Sequence, residues 1–130
     1  ILLAKLDVFG EEIAMRQSVA DAYATGFANA VKTPRVIAAA RATWAQYTIE
    51  VADRDGFRAF LAERGIPTTI YYPIPLHKHE PYSGFPCAPG GLPATEAAAD
   101  RVVSLPMHPD MPQADIARVV DAVTGYASRN

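Results

Sequence analysis

The chain has 130 residues, half of them apolar and a fifth charged, with a net charge of −2. That length and balance fit one globular domain able to bury a core without staples, and they exclude a disordered tail. Acidic and basic residues are mixed along the chain, which gives no electrostatic footprint for nucleic acid or an anionic membrane.

Residues 1 to about 29 carry apolar groups at helical spacing: Leu2, Leu3, Leu6, Phe9, Ile13, Val19, Tyr23 and Phe27. This pattern predicts one long amphipathic helix. Gly10 weakens it by about 1 kcal/mol relative to alanine. No methionine, polar lead-in or cap precedes the pattern at Ile1, so the expectation is a helix that began upstream in a longer chain. Thr33-Pro34 ends the helix and opens an irregular connector. Trp44 to Val51 alternates aromatic and β-branched residues and reads as a strand. Asp53-Arg54-Asp55 offers N-cap carboxylates to a short helix with Phe57, Phe60 and Leu61 on its apolar face. Gly65 closes that helix as a left-handed cap.

Ile66 to Tyr72 reads as a second strand, stopped by Pro73 and Pro75, and the strand–helix–strand order predicts a crossover unit on one sheet. Residues 73 to 93 are dense in proline and glycine and predict a long loop without regular elements. A short helix over about 94 to 101, a third strand over Val102 to Pro106 and a closing helix after Pro112 complete the chain. Ile116, Val119, Val120 and Val123 point inward on that last helix. The expected class is α+β: a long helix, about three strands, and helices packed on them.

The proline-locked segment Tyr71-Tyr72-Pro73-Ile74-Pro75-Leu76-His77 holds the strongest candidate site. Proline restricts both itself and its predecessor, so phenols and an imidazole are presented on a stiff strand end. By strand alternation, one of the two tyrosines faces the core. His77, His79, Cys87 and His108 match no zinc spacing, and hydrogen-bonding roles suit the histidines better. Gly90-Gly91 is a turn and lacks the lysine of a phosphate loop, and no dinucleotide fingerprint occurs. Arg54 reads as an exposed charge at a helix start, with an anion ligand as the other option. Ser104 has no base beside it. Cys87, the sole cysteine, rules out an internal disulfide and points to a reducing cytoplasm. No apolar stretch is long enough to span a bilayer, and the start lacks a signal-peptide pattern.

Six segments, in order, resemble the C-terminal part of the nucleotide-sugar aminotransferases, the DegT group of pyridoxal-phosphate (PLP) enzymes with the aspartate aminotransferase fold (fold type I). They are Ala4-Lys5-Leu6-Asp7 to Arg16, Trp44-Ala45-Gln46-Tyr47-Thr48-Ile49, Asp53-Arg54-Asp55, Gly65-Ile66-Pro67-Thr68, Tyr71 to His77, and Ser104-Leu105-Pro106-Met107-His108-Pro109. The resemblance implies a homodimeric transferase moving an amino group, typically from L-glutamate, onto a keto-sugar of a nucleoside-diphosphate sugar, with PLP as electron sink. UDP-linked keto-sugars and surface-polysaccharide synthesis are the closest match.

It further implies that residues 1–30 link to a large domain absent here, and that 31–130 form the C-terminal small domain. The family's Schiff-base lysine lies in a Ser-Phe-x-x-x-Lys type stretch upstream, and Lys5, Lys32 and Lys78 sit in no such stretch. Catalytic and PLP-binding residues are therefore expected outside this chain, which alone should be inactive. Tyr71, Tyr72 and His77 are the implied substrate-binding residues. Many relatives carry histidine at the position of Tyr71, whereas Tyr72 matches directly. Two alternatives stand beside this: a PLP-dependent sugar dehydratase of the same family, and a non-enzymatic binding module.

Overall fold

The computed structural model describes residues 2–129. Helix α1 (Leu2–Phe27) leads into a connector, strand β1 (Tyr47–Glu50) and helix α2 (Arg54–Ala62). A long loop with two single-turn 3-10 helices, Leu76–Lys78 and Glu80–Tyr82, precedes helix α3 (Pro93–Arg101). Strand β2 (Val102–Leu105) and helix α4 (Gln113–Ala127) close the described chain. The α+β class holds, and helix α1 is as long as its spacing predicts.

The sheet is smaller than expected. β1 and β2 pair antiparallel, with Tyr47 opposite Leu105 and Glu50 opposite Val102. The segment expected as a strand over Ile66 to Tyr72 contributes only an isolated bridge, Thr69 to Ser104. Thr69 exchanges both its main-chain bonds with Ser104, at 3.1 and 2.7 Å. Because both pairings are antiparallel, this segment runs in the same sense as β1, with β2 between them. The crossover thus exists in direction, but flanking Pro67 and Pro73 lack the donors a longer ladder needs. On the other side of β1, Lys32 bridges to Glu50.

β1 is also shorter than its pattern, because Trp44 sits at φ +49°, outside the extended region. Its indole Nε1 donates to Gln17 Oε1 at 2.8 Å, and Arg16 Nη1 donates to its carbonyl at 3.1 Å. Trp44 is therefore hydrogen-bonded to α1 and not into the ladder, while its ring lies 5.3 Å from that of Tyr47. Helix α1 ends before Thr33-Pro34, at two left-handed residues, Ala28 and Asn29.

The core lies where the C-terminal half of α1 and the faces of α2 and α4 meet the sheet. Tyr23, Phe27, Tyr47, Ile49, Phe57, Leu61, Val103 and Val123 are fully buried there. The Tyr23 ring stacks on Phe27 at 5.3 Å and meets Tyr47 edge-on at 5.1 Å, geometries favoured by the ring quadrupoles. At Gly26, an added Cβ would lie 2.7 Å from a Val120 methyl, so glycine lets α1 and α4 approach closely.

The Asp53 side chain accepts from Gly56 N at 3.0 Å and caps α2. Gly65, at φ +67°, ends α2 as predicted, and Arg118 donates to the carbonyls of Arg64 and Gly65. Among the described residues, the first half of α1 has no such partner: Leu3, Leu6, Val8, Phe9 and Met15 are all exposed.

Candidate functional site

Thr69, at the sheet margin, delivers the chain to the tyrosine corner. The Tyr71–Tyr72 peptide is cis, and the two rings meet edge-on with centroids 6.1 Å apart. Neither ring enters the core: Tyr71 is 42 % exposed and Tyr72 is 74 % exposed. The expectation that alternation buries one of them fails, because pairing stops at Thr69 and no strand continues to impose that alternation. Tyr71 lines a notch of about 190 Å³ with Gln46, Thr69, Ser104 and Met107. The Ser104 hydroxyl lies 2.8 Å from the Thr48 hydroxyl, a cross-strand bond that occupies it structurally.

His77 stands apart from the tyrosines in its bonding. Its Nε2 lies 3.1 Å from Glu96 Oε1 on α3, while Lys78 Nζ lies 2.6 Å from Glu96 Oε2. One carboxylate thus holds two successive loop residues. Hydrogen bonding from Lys78, then from His77, keeps the Glu96 carboxyl below its usual range. His79 turns away, its Nε2 3.2 Å from the Ile74 carbonyl. Among the described residues, no three histidine, cysteine or acidic side chains gather as a metal site.

Arg54 differs from its sequence reading. Its guanidinium is mostly covered, donating to the Ala99 carbonyl and lying 3.9 Å from Asp55. That bond joins α2 to α3, so Arg54 is not the exposed charge that its sequence reading expects. A cleft of about 620 Å³ near the end of β1 is lined by Lys32, Arg35, Glu50 and Asp53. There Lys32 pairs with Glu50 at 2.5 Å, and Asp53 accepts from the Tyr126 hydroxyl at 2.9 Å.

Among the described residues, the lysines do not suit a Schiff base to pyridoxal phosphate. Each lysine ammonium is paired on the surface: Lys5 with Glu12, Lys32 with Glu50, Lys78 with Glu96. What the corner can do is bind. Two phenols offer hydrogen bonds and ring faces, and exposed Ile74 and Leu76 flank them with apolar surface. Sequence reasoning singled out the tyrosines and His77 as candidates and passed over their neighbour Glu96, whose only signal was a carboxylate in the first turn of a helix after a proline-rich loop.

Known proteins share this fold. Residues 1–124 match the DegT/DnrJ/EryC1/StrS aminotransferase family. The chain is 38% identical over 125 residues to the UDP-2-acetamido-2-deoxy-3-oxo-D-glucuronate aminotransferase of Pseudomonas aeruginosa, covering 95% of this chain and 34% of that protein. It is 34% identical over 127 residues to the dTDP-3-amino-3,6-dideoxy-alpha-D-galactopyranose transaminase of Aneurinibacillus thermoaerophilus, covering 97% and 34%. The crystal structure of a DegT DnrJ EryC1 StrS aminotransferase from Brucella abortus superposes with a TM-score of 0.94 at 40% identity, covering 98% of this chain and 34% of that one.

The α+β fold matches that of the Brucella protein over the aligned third of that chain. The chain belongs to the DegT/DnrJ/EryC1/StrS aminotransferase family. It spans about a third of the length of the curated relatives it matches.

Proposed function

We propose that this chain is the C-terminal small domain of a PLP-dependent aminotransferase acting on a nucleoside-diphosphate keto-sugar, with L-glutamate as amino donor. Residues 1–30 would form the helix joining it to a large domain that holds the cofactor and the Schiff-base lysine. Residues 31–130 would form the small domain, which borders the substrate cleft. In this reading Tyr71 and Tyr72 contact the sugar nucleotide, and His77 holds the loop beside them. A UDP-linked substrate is favoured by the similarity to the Pseudomonas enzyme. A cytoplasmic homodimer, in which the corner reaches the partner's cleft, completes the proposal.

The observation that carries it is the tyrosine corner, exposed and turned away from the core of its own domain. An exposed aromatic pair on a stiff proline-framed turn is suited to a ligand or a facing surface, and it contributes little to this fold. The unpartnered first half of α1 agrees with a larger domain lying against it.

The test is a titration of the full-length protein, loaded with PLP, with UDP-linked and dTDP-linked amino-sugars, following the cofactor's visible absorbance. The reading expects the band to change with one nucleotide class. It also expects Tyr72→Ala to raise KM for the sugar at least about tenfold, the loss of one good buried contact. A Tyr72→Ala enzyme with unchanged KM removes the site, and a protein with no response to any sugar nucleotide removes the function.

A further inference from the structure

Thr69 anchors the corner to the sheet on its N-terminal side, but on its C-terminal side the corner is held by very little. Residues 72–91 contribute nothing to the buried core, and Leu76 and Phe85 are more than 65 % exposed. Their hydrogen bonds run mostly within the loop, as in Lys78 N to Pro75 O, His79 N to Leu76 O and Tyr82 N to His79 O. Among the described residues, the side-chain bonds that tie this stretch to the rest of the fold all end on Glu96. Between the clamp and the tyrosines lie only Pro73, Ile74, Pro75 and Leu76. Two prolines in four residues make that link stiff, so fixing one end restricts the other.

We propose that Glu96 is a positioning residue for the Tyr71–Tyr72 corner: its two carboxylate oxygens clamp His77 and Lys78 and thereby set where the phenols stand in the substrate cleft. This rests on the proposed function for what the corner binds, but the clamp itself does not. Glu96 lies in the first turn of α3, where a negative charge is favoured by the helix dipole. The charged groups facing it are His77 and Lys78 from the loop; on its own helix the next acid is Asp100, a turn further on. Protonating the carboxylate leaves one hydroxyl and one neutral oxygen facing a cation, and the clamp weakens.

The test uses the full-length protein with 3-fluorotyrosine, the Tyr71 and Tyr72 resonances being assigned by Tyr71→Phe and Tyr72→Phe. In the wild type both resonances move with loss of the clamp only once the pH falls below the usual carboxylate range. In Glu96→Gln they sit at the moved position at every pH. Titration with UDP-N-acetylglucosamine and dTDP-glucose reads the consequence, with binding of the accepted probe weakened at least about fivefold in the variant. Urea unfolding of Glu96→Gln stays close to the wild type, which separates positioning from a loss of fold.

Tyrosine resonances unchanged in Glu96→Gln overturn the proposal, whatever the protein binds. So does a moved corner with undiminished probe affinity. A moved corner in a protein that takes neither probe upholds the clamp and removes the sugar-nucleotide reading instead.

Discussion

Two buried tyrosines with similar surroundings have opposite accounts at their hydroxyls. The Tyr23 hydroxyl donates to the Pro106 carbonyl at 2.9 Å, whereas the Tyr47 hydroxyl is buried with no hydrogen-bond partner among the described residues. A buried polar group without a partner costs about 1–3 kcal/mol, while a satisfied one contributes about 1 kcal/mol net. Tyr23→Phe should therefore lower stability by about 1 kcal/mol. Tyr47→Phe should leave stability unchanged or raise it. Urea unfolding of the two variants compares them directly, and equal losses would refute the distinction.

Burial pushes both phenols up, Tyr47 to about 12, with the negative charge of Asp21 adding to the effect. Their folded pKa values lie above the unfolded ones. The stability linked to them is full below about pH 10 and falls as the pH rises toward 12. Neither hydroxyl account could be read from sequence, because both residues look alike in their apolar patterns and only the packing decides which oxygen meets a carbonyl.

At the level of elements, the helices were legible and the strands less so. α1 and α4 follow from apolar spacing, and α2 from its flanking signals, Asp53 before it and Gly65 after it. The strand over Ile66 to Tyr72 failed because β-branched and aromatic residues mark a surface that could pair, not one that does. Pairing depends on donors that Pro67 and Pro73 do not have. The tyrosine corner was legible from its prolines, but its outward aim was not, since that followed from the lost strand. Glu96 was illegible because its partners lie 18 and 19 residues away.

The Asp53 cap offers an element-scale check. Its carboxyl is held low by the Gly56 backbone N–H first and the Tyr126 hydroxyl second. Its folded pKa is depressed, so its contribution is present above the unfolded value and is lost as the pH falls through the folded one. Asp53→Ala should lower the thermal midpoint at neutral pH, and the difference from wild type should shrink in acid. Asp53→Asn, which still caps, should sit much nearer the wild type. A constant Asp53→Ala deficit across pH would show that the charge plays no part.

For the whole molecule, the distribution of buried surface is lopsided. The sheet, α2, α4 and the second half of α1 share one core, while Leu3, Leu6, Val8, Phe9 and Met15 extend beyond it on α1. Exposed apolar surface of this extent marks a contact region. The isolated 130-residue chain is thus expected to self-associate in sedimentation and to bind a hydrophobic dye. The double change Leu6→Ser with Phe9→Ser should reduce both signals while leaving the core intact. A monodisperse wild-type chain that binds no dye would mean this surface needs no cover. Nor is the chain built to cross a bilayer as a helix: among the described residues no helix is long and apolar enough.

The margin formed by Thr69 carries one more implication. With its own N–H and C=O turned inward to Ser104, the neighbouring main-chain groups of Thr68 and Ile70 face outward, an invitation for a foreign strand to dock and lengthen the sheet. Pro67 and Pro73 bracket that opening and blunt it, since neither can supply a hydrogen to an incoming chain. Replacing them would be felt first in the test tube as fibrous precipitation: the same prolines that aim the phenols also guard the border against runaway stacking.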